Sequence, residues 1–432
     1  MACSPLPHLR FFPWTSPKKP LYPVFTNSLF LESKKLSLYV SRIPTCVSTS
    51  DEEAKNKTAS TLRELCQSYV PDHVLRRAEE LGYVVPTEAQ RQALPVLFSG
   101  CDCVLHAQTG SGKTLAYLLL IFSVVNAQRS AVQALIVLPT RELGMQVAKV
   151  ARMLAARSSE LESGQNSCTV MALLDGGTLR RHKSWLKVEP PAIVIATLGS
   201  LCQMLDKQIL RLDAMRVLVI DEVDFLFNSS KEVSYLRRLL TTYSSINNRQ
   251  TIFASASIPQ HRRFLYDCIQ QKWTKANVSH VHINPVEPMP SCLHHRFLSE
   301  KSKKSGDSPP TTLLVEFLRT SHRECPEIVM LEAEMNFNQR AASIIEVKQA
   351  GGYLLVATDI AARGVDLPET THIYNFNLPK DATSYLHRAG RTGRKPFSDS
   401  KCYVTSILTS EERFVLQRFE NELFFQCEEL FI

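Results

Sequence analysis

Apolar and polar positions follow two alternating patterns along most of the chain. Short apolar runs typical of buried strands occur at 103–106, 134–138, 169–173, 192–196, 217–220 and 251–254, and again at 327–331, 353–357, 372–376 and 401–406. Stretches with helical spacing separate them, for example at 61–81, 116–127, 142–156 and 311–320. Alternating strands and helices of this length predict mostly parallel sheets flanked by helices, so we expect an α/β protein.

A polar stretch with three prolines separates two groups of predicted strands. Residues 284–290 favour neither helix nor strand and are interpreted as an interdomain linker. The pattern therefore predicts a first domain over 61–283 and a second, smaller domain over 291–432. Because no apolar run reaches the roughly 18 residues that span a bilayer, no membrane partner is expected.

Residues 1–50 differ in composition from the rest of the chain. They are rich in Ser, Thr and Pro and hold six basic residues but only one acidic residue, Glu32. They contribute +5 of the net charge of +8, so any affinity of the remainder for nucleic acid must come from local placement of charge. This composition is typical of an organellar transit peptide. Only two of the basic residues are arginine, which favours the chloroplast, with the mitochondrion and a plain disordered tail as alternatives.

One loop between a predicted strand and a predicted helix has the sequence of a phosphate-binding loop. Residues 107–114 read Ala-Gln-Thr-Gly-Ser-Gly-Lys-Thr. Such a loop directs backbone N–H groups and a helix N-terminus at phosphate oxygens. Lys113 is expected to reach the β- and γ-phosphates of ATP, and Thr114 to ligate Mg²⁺. The candidate nucleotide contacts of the loop are Gln108, Thr109, Gly110, Ser111, Gly112, Lys113 and Thr114.

An acidic cluster follows a buried strand further along the chain. The apolar run 217–220 ends in Asp221-Glu222-Val223-Asp224. Carboxylates at the end of a parallel strand suit Mg²⁺, so Asp221 is expected to hold the metal. Glu222 is expected to orient and deprotonate the attacking water. Taken alone, such acids are more often solvated turn residues, but the phosphate loop upstream favours the catalytic interpretation.

These two motifs, in this order, resemble those of the DEAD-box RNA helicases, whose fold is two RecA-like domains that close over ATP and RNA. The residues around Pro86 are similar to the family's adenine-sensing Q motif, and the resemblance assigns nucleotide contacts to Tyr83, Thr87 and Gln90. Leu65 stands where the family has a stacking aromatic, which puts base stacking in doubt.

The resemblance also implies RNA contacts in the first domain. Residues 139–143 read Pro-Thr-Arg-Glu-Leu, and a glycine pair follows at 176–177. The RNA-binding residues implied by these motifs are Pro139, Thr140, Arg141, Gly176, Gly177 and Thr197. Ser200 replaces the arginine of the family's Thr-Pro-Gly-Arg motif, so one cationic contact is lost. Ser255 and Ser257 stand in the family's Ser-Ala-Thr motif, whose role is to couple hydrolysis to strand separation.

Two motifs of the second domain complete the resemblance. Residues 357–366 are similar to a motif that contacts RNA, here through Thr358, and the ribose, here through Asp366. Residues 387–394 are similar to the arginine-finger motif, which implies that Arg391 and Arg394 stabilise charge on the γ-phosphate when the domains close. Arg340 is implied to bind RNA, although Phe337 replaces the glutamine that normally precedes it and 332–335 depart from the family pattern.

One expected segment of the second domain is missing. After residues 294–298, a family member continues with a helix and an apolar strand, but residues 299–310 are hydrophilic and cannot supply a buried strand. The helix at 311–320 resembles the one that normally follows that strand. A helix–strand unit of about 30 residues is therefore predicted to be absent. A splice variant, an imperfect gene model and a lineage deletion all fit this gap.

The sequence predicts an ATP-dependent RNA helicase, an RNA-stimulated ATPase with ATP and Mg²⁺ as cofactors. It is expected to bind the RNA backbone and to unwind short duplexes or remodel RNA–protein complexes, with RNA-processing or ribosome-assembly proteins as candidate partners. The alternative is an RNA clamp or assembly factor whose incomplete second domain impairs unwinding. A P-loop ATPase acting on DNA or protein is disfavoured by the Q motif and the paired glycines.

Overall fold

The structure of the protein is a computed structural model. It describes residues 61–156, 168–174, 179–228, 230–242, 249–258, 261–283, 289, 292–299, 311–321, 327–349, 352–362, 365, 367–368, 370–393 and 401–431. The predicted transit peptide and, apart from Met289, the predicted linker lie outside these residues. None of the helices in the described ranges has the length and apolarity that crossing a membrane requires.

The first part of the chain forms one parallel sheet of seven strands, in the order β3-β4-β2-β5-β6-β1-β7. Its strands are β1 Cys103–Ala107, β2 Ala134–Leu138, β3 Val170–Leu173, β4 Ile193–Thr197, β5 Val217–Asp221, β6 Gln250–Ser255 and β7 Ser279–Ile283. Its helices are α1 Leu62–Cys66, α2 Asp72–Glu80, α3 Glu88–Phe98, α4 Lys113–Val124, α5 Arg141–Ala155, α6 Leu179–Val188, α7 Leu198–Asp206, α8 Val223–Asn228, α9 Ser230–Thr242 and α10 His261–Gln270.

Helices cover both faces of this sheet, as predicted for parallel strands that are apolar throughout. Along β2 the side chains alternate, so Ile136 packs into one apolar cluster while Leu135 and Val137 pack into the other. Helix α4 lies in the first of these clusters, and nine of its twelve residues are buried. The two clusters give the first sheet a continuous core on each face.

The second part of the chain forms two separate sheets among the described residues. One has two strands in the order β10-β9, and the other has four in the order β11-β12-β8-β13, all of them parallel. The strands are β8 Leu293–Ser299, β9 Glu327–Leu331, β10 Tyr353–Ala357, β11 His372–Asn375, β12 Cys402–Leu408 and β13 Cys427–Glu429. The helices are α11 Thr311–Ser321, α12 Phe337–Gln349, α13 Ala382–Ala389 and α14 Glu412–Leu423, with a 3₁₀ turn over Asp359–Ala362.

Both parts of the chain follow one strand order. In the first sheet the strands lie in the order third, fourth, second, fifth, sixth, first, seventh. In the second part, β8 is the first strand in chain order, and if one strand is missing after it, β9 to β13 are the third to seventh. The observed order, β9-β10 and then β11-β12-β8-β13, is then third, fourth, a gap for the second, fifth, sixth, first, seventh. That strand would follow β8 in the chain and lie between β10 and β11, where the sheet is divided.

Segment lengths agree with this correspondence. The 33 residues from 108 to 140 separate β1 from α5 and contain α4 and β2. Only the 11 residues from 300 to 310 separate β8 from α11, which packs on β9 and β10 as α5 packs on β3 and β4. The predicted absence of a helix–strand unit therefore corresponds to the counterparts of α4 and β2.

Three strands, β7, β8 and β13, lie outside the predicted apolar runs. Strands β7 and β8 carry polar side chains at alternate positions, for example His280 and His282 in β7 and His294 and Arg296 in β8, and β13 is three residues long with two adjacent glutamates. These alternating patterns are weaker signals than the continuous apolar runs of β2 and β5. The prediction therefore missed β7 and β13, which lie at sheet edges, and β8, which has one polar face.

Candidate functional site

The phosphate loop connects β1 to α4 with the predicted geometry. Gly112 precedes α4 with a φ of 92°, and Gly110 has a φ of 83°, both in the left-handed region that favours glycine. A Cβ on Gly112 would clash with Nε2 of Gln90, so a side chain there would displace that amide. Lys113 is buried, and its Nζ donates to the backbone oxygens of Ala107 at 2.6 Å and Gln108 at 2.8 Å.

Lys113 lies close to the acidic cluster. Burial lowers the pKa of Lys113, and the nearby carboxylates of Glu222 and Asp221 offset part of that shift. The side chain therefore lies inside the loop, within the field of the acidic cluster. In this position it can exchange backbone carbonyls for phosphate oxygens without entering a new environment.

Gln90 and Thr87 hold the start of α3 against the phosphate loop. Thr87 caps the helix through its hydroxyl, and its backbone N–H donates to Oε1 of Gln90 at 2.9 Å. Nε2 of Gln90 donates to the Gly112 oxygen at 3.2 Å, and the Thr87 hydroxyl donates to the Ser111 oxygen at 2.6 Å. Gln90 is therefore already bonded to the loop, and its predicted contact with adenine, like that of Tyr83, stays a prediction.

The acidic cluster lies at the carboxyl end of β5, as predicted. Oδ2 of Asp221 accepts a hydrogen bond from the Tyr117 hydroxyl at 2.9 Å, and Tyr117 also hydrogen-bonds the Thr114 side chain. The two predicted metal ligands, Asp221 and Thr114, thus both hydrogen-bond Tyr117. Burial, and secondarily the charge of Glu222, raises the pKa of Asp221 to about 6. Hard oxygen donors at this edge fit Mg²⁺.

Glu222 has two unusual features. Its φ is 49°, in the left-handed region that residues other than glycine rarely adopt. Its side chain is buried, and among the described residues Oε2 has no hydrogen-bond partner. A buried carboxylate oxygen without a partner is costly unless it has a ligand or water to bind. These features fit the predicted role of Glu222 as the base beside an attacking water.

Asp224 and His387 are two further candidate functional residues to which the sequence motifs assigned no role. Asp224 accepts from Ser255 Oγ at 2.6 Å and lies 3.0 Å from Nε2 of His387, and both Asp224 and His387 are almost fully buried. Glu222, Asp224 and His387 each offer a ligand atom within 4.8 Å of the others. Asp224 closes the acidic cluster and His387 opens the 387–394 motif, so their places in these motifs were the available signal.

A cavity joins predicted RNA-binding residues of both parts of the chain. Its volume is about 430 Å³, and it is lined by Pro139, Thr140, Arg141, Glu142, Met335, Asn336, Phe337, Arg340 and Ile360. Nε of Arg340 donates to Glu142 Oε1 at 2.6 Å, and Nη1 donates to the backbone oxygens of Ala333 and Met335. Arg340 therefore connects the first turn of α12 to the first turn of α5.

The remaining predicted RNA contacts are spread more widely. Thr140 caps α5 through its hydroxyl, and Thr197 Oγ1 donates to Ser200 Oγ at 3.1 Å. Thr358 is exposed directly after β10. Gly176 and Gly177 lie outside the described residues.

Arg391 is bonded within the second part of the chain. Its Nε and Nη2 donate to the Ala362 oxygen and its Nη1 to the Val365 oxygen, and the side chain is buried. An arginine-finger role requires Arg391 to exchange these carbonyls for phosphate, and it stays a prediction. Ser257 lies after β6 with a buried hydroxyl, and Arg394 and Asp366 lie outside the described residues.

Comparison with known proteins relates this geometry to a family. The sequence model described as DEAD/DEAH box helicase matches residues 87–264, and that described as helicase conserved C-terminal domain matches residues 302–396. The solved structure of S. cerevisiae Dbp5 bound to RNA and ADP BeF3 superposes with a TM-score of 0.68 at 18% identity, covering 86% of this chain and 96% of that chain. This likeness supports the fold of two RecA-like domains.

Two plant relatives are much closer in sequence. DEAD-box ATP-dependent RNA helicase 58, chloroplastic, of Arabidopsis thaliana is 58% identical over 468 positions, covering 99% of this chain and 98% of the relative. The protein of the same name from Oryza sativa subsp. japonica is 61% identical over 403 positions, covering 86% and 90%. The 468 positions exceed the 432 residues of this chain by 36, which agrees with a missing helix–strand unit. The chain therefore belongs to the DEAD-box family of ATP-dependent RNA helicases.

Proposed function

We propose that the chain hydrolyses ATP with Mg²⁺ in its first domain and uses the bound nucleotide to grip RNA between its two domains. The observation that carries this proposal is the convergence of Lys113, Thr114, Asp221 and Glu222 at one edge of the first sheet. The chain is a chloroplast protein, in keeping with the chloroplastic names of both plant relatives and the composition of residues 1–50.

The chemistry follows from the positions of these side chains. Lys113 exchanges the carbonyls of its own loop for phosphate oxygens, and the loop N–H groups add further donors. Bound Mg²⁺, held by Thr114 and Asp221, would neutralise charge on the phosphates. Glu222 orients the attacking water through its buried Oε2 and accepts the proton.

Coupling between hydrolysis and RNA is proposed to run through Asp224. This carboxylate hydrogen-bonds Ser255 of the first domain and His387 of the second. The bond to His387 can form only when α13 lies next to the acidic cluster. A buried hydrogen-bonded pair of this kind is lost when the domains separate. Nucleotide and RNA that each favour the closed arrangement then favour each other's binding.

The cavity lined by Pro139 and Arg340 supports a proposed RNA contact between the two domains. It lies where the end of β2 meets the start of α12, and Arg141 and Thr140 line it. The contacts are proposed to involve the sugar–phosphate backbone, which carries no sequence information. RNA-processing or ribosome-assembly proteins are proposed to direct the enzyme to its target.

A second function, an RNA clamp with weak unwinding, is favoured by the divided second sheet. Arg391 is bonded to the segment that follows β10, which lies in the smaller of the two sheets. A shift of that sheet displaces the segment carrying these carbonyls and changes the contacts of Arg391. Such a protein would bind RNA in an ATP-dependent way but separate duplexes poorly.

One set of assays distinguishes the two functions. RNA binding with and without a non-hydrolysable ATP analogue, RNA-stimulated phosphate release and duplex unwinding are measured on one preparation. All three activities together support the helicase, while ATP-dependent RNA binding without unwinding supports the clamp. Phosphate release stimulated equally by DNA and RNA would contradict both.

A further inference from the structure

Tyr117 is a fully buried tyrosine of helix α4 whose hydroxyl lies beside the acidic cluster. Its ring packs in the apolar cluster that contains most of α4. A ring in this position needs no hydroxyl for packing, because phenylalanine fills nearly the same space. Burying a hydroxyl is favourable only where hydrogen bonds compensate for the lost water. The partners of the Tyr117 hydroxyl therefore indicate what it does.

The hydroxyl of Tyr117 has hydrogen bonds with both proposed Mg²⁺ ligands. It lies 2.9 Å from Oδ2 of Asp221, at the end of β5, and it also hydrogen-bonds the side chain of Thr114. Thr114 lies three residues before Tyr117 in α4, so the two side chains share one face of the helix. One buried hydroxyl thus links the proposed ligand from α4 to the proposed ligand from β5.

The hydrogen atoms of these two bonds have one consistent arrangement. A carboxylate can only accept, so the phenolic hydrogen of Tyr117 goes to Asp221. The Tyr117 oxygen is then the acceptor of the second bond, and the Thr114 hydroxyl is its donor. The Thr114 hydrogen therefore points toward Tyr117, and the remaining lone pairs of the Thr114 oxygen are left for a cation.

The carboxylate of Asp221 is held at both of its oxygens. Oδ2 accepts from Tyr117 at 2.9 Å, and Oδ1 accepts from the backbone N–H of Glu222 at 3.0 Å. Donors on different oxygens fix the plane of the carboxylate group. Each oxygen has a second lone pair that can bind a metal ion. Of these two donors, only the Glu222 N–H would remain if the Tyr117 hydroxyl were removed.

The positions of its ligands matter more to Mg²⁺ than to larger cations. Mg²⁺ requires nearly ideal octahedral geometry at about 2.0–2.1 Å, whereas Ca²⁺ accepts flexible arrangements of oxygens at about 2.3–2.6 Å. Removal of a hydrogen-bonding partner that orients a metal ligand typically lowers metal affinity about 10- to 100-fold. A group that fixes two oxygen ligands from different elements therefore favours the smaller cation.

We propose that Tyr117 is a positioning residue for the Mg²⁺ site, which holds Thr114 and Asp221 in the arrangement that Mg²⁺ requires and so disfavours larger cations. Tyr117 contacts neither the metal nor the nucleotide in this role and acts through its two partners. A purely structural role, in which it only ties α4 to β5, would affect the stability of the chain but not its response to Mg²⁺. The inference rests on the proposed use of Mg²⁺ by the first domain.

ADP binding by the full chain tests this role without any turnover. The dissociation constant of ADP is measured in EDTA, in Mg²⁺ and in Ca²⁺, because a cation that binds together with the nucleotide strengthens its binding by a measurable factor. Tyr117→Phe keeps the buried ring and removes the hydroxyl. Its ADP affinity in EDTA should match that of the native chain, while the strengthening by Mg²⁺ should fall about tenfold or more. The strengthening by Ca²⁺ should fall by less than about threefold.

A second variant of the same helix separates positioning from packing. Ile121→Val removes one carbon atom from a fully buried side chain of α4 and leaves the hydroxyl of Tyr117 and both of its partners in place. We expect it to lower the unfolding temperature of the nucleotide-free chain without changing the strengthening of ADP binding by Mg²⁺. Thermal unfolding of both variants shows whether a loss of stability accompanies the change in the response to Mg²⁺.

Four results would contradict the role of Tyr117, and they differ in what they imply for the proposed function. Equal strengthening by Mg²⁺ in Tyr117→Phe and the native chain would overturn the role and leave the proposed function intact. An ADP affinity that Tyr117→Phe lowers by the same factor in EDTA and in Mg²⁺ would do the same, because the defect would then lie in the fold. Equal losses of strengthening with Mg²⁺ and Ca²⁺ would overturn the geometric role. A native chain whose ADP affinity does not respond to Mg²⁺ would contradict the proposed function and this inference together.

Discussion

Lys113 and Glu222 are proposed to act on the same phosphate through different physical effects, so their loss should have different consequences. Lys113→Ala removes the buried cation that now binds Ala107 and Gln108, and it should weaken ATP binding and abolish turnover. Glu222→Gln keeps the shape but removes the base, so ATP should still bind while turnover falls about 100-fold or more. Equilibrium binding of ATP and single-turnover hydrolysis separate the two effects. Native turnover by Glu222→Gln would disprove its role as the base.

The ionised carboxylate of Asp221 is buried, and this burial lowers the stability of the fold. Burial and the neighbouring Glu222 raise its pKa to about 6, from an ordinary value of 3.8. A carboxyl whose pKa is higher in the folded chain binds more protons when folded, so it destabilises the fold as pH rises through this window. We expect Asp221→Asn to unfold at a higher temperature than the native chain at about pH 8, while losing turnover.

The titration of Asp221 also determines how the difference in unfolding temperature between the two proteins depends on pH. The difference in unfolding temperature between Asp221→Asn and the native chain should shrink between about pH 6 and pH 4, where the native carboxyl takes up its proton. Thermal unfolding of the nucleotide-free proteins across this range measures it. A difference that is as large at pH 4 as at pH 8 would mean that the charge of Asp221 is not its cause.

Gln90 is expected to serve both the loop and the adenine base. Its amide binds Thr87 and Gly112, so Gln90→Ala should raise the KM for ATP by loosening the loop. If the amide also pairs with adenine, the preference for ATP over GTP should narrow as well, because a bidentate amide discriminates strongly between these bases. Steady-state kinetics with both nucleotides measures the ratio. Gln92→Ala, on the exposed side of the same helix, is the control and should change neither value.

At the scale of elements, the two sheets differ in how their cores are built. Around β2 and α4 the first sheet has a continuous apolar cluster on each face. Among its described residues, the second domain has three smaller clusters, one beside α13 and α14 and one on each face of the β9–β10 pair. Elements that bury less apolar surface open more easily under native conditions.

Hydrogen exchange should therefore separate the two domains. We expect fast exchange across residues 311–360 and normal protection across 103–140, which contain α4 and β2. Native-state exchange followed by proteolysis and mass spectrometry resolves these segments. Equal protection of 327–331 and 134–138 would show that the two-stranded sheet is stabilised by something other than its own core.

At the scale of the whole molecule, the proposed arginine-finger role requires closure of the domains to bring Arg391 and Arg394 to the ATP phosphates. Arg391 is attached to the segment that follows β10, and the missing strand leaves that segment without its neighbour. A misplacement of about 1 Å costs on the order of 100-fold in rate. We expect this chain to unwind a short RNA duplex at least about tenfold more slowly than a version that carries the Arabidopsis relative's helix–strand segment after Leu298.

The comparison needs a control that shows the first domain to be equally active in both versions. Both versions should bind ATP with similar affinity, because the phosphate loop and acidic cluster are complete in each. A strand-displacement assay at saturating ATP and protein measures unwinding. Equal rates in the two versions would mean that another segment replaces the missing strand.

The sequence by itself determined the local chemistry and the class of fold. The loop 107–114, the acids from Asp221 to Asp224 and the apolar runs are each read from neighbouring residues, and the structure has β9, β10 and β2 at the predicted bounds. The absence of a helix–strand unit was equally readable, because a hydrophilic stretch cannot form a buried strand. Helix α4 begins at Lys113 rather than at 116, since its first two residues are polar and only the left-handed Gly112 marks its start.

Only the tertiary structure decided which distant residues meet. His387 lies beside Asp224 although 163 positions separate them, and Arg340 binds Glu142 across 198 positions. No local pattern encodes such pairs, because they depend on the order in which strands assemble into a sheet. That order also decided where the missing strand leaves its gap: β2 follows β1 in the chain but lies between β4 and β5 in space, so the loss of its counterpart divides the second sheet between β10 and β11.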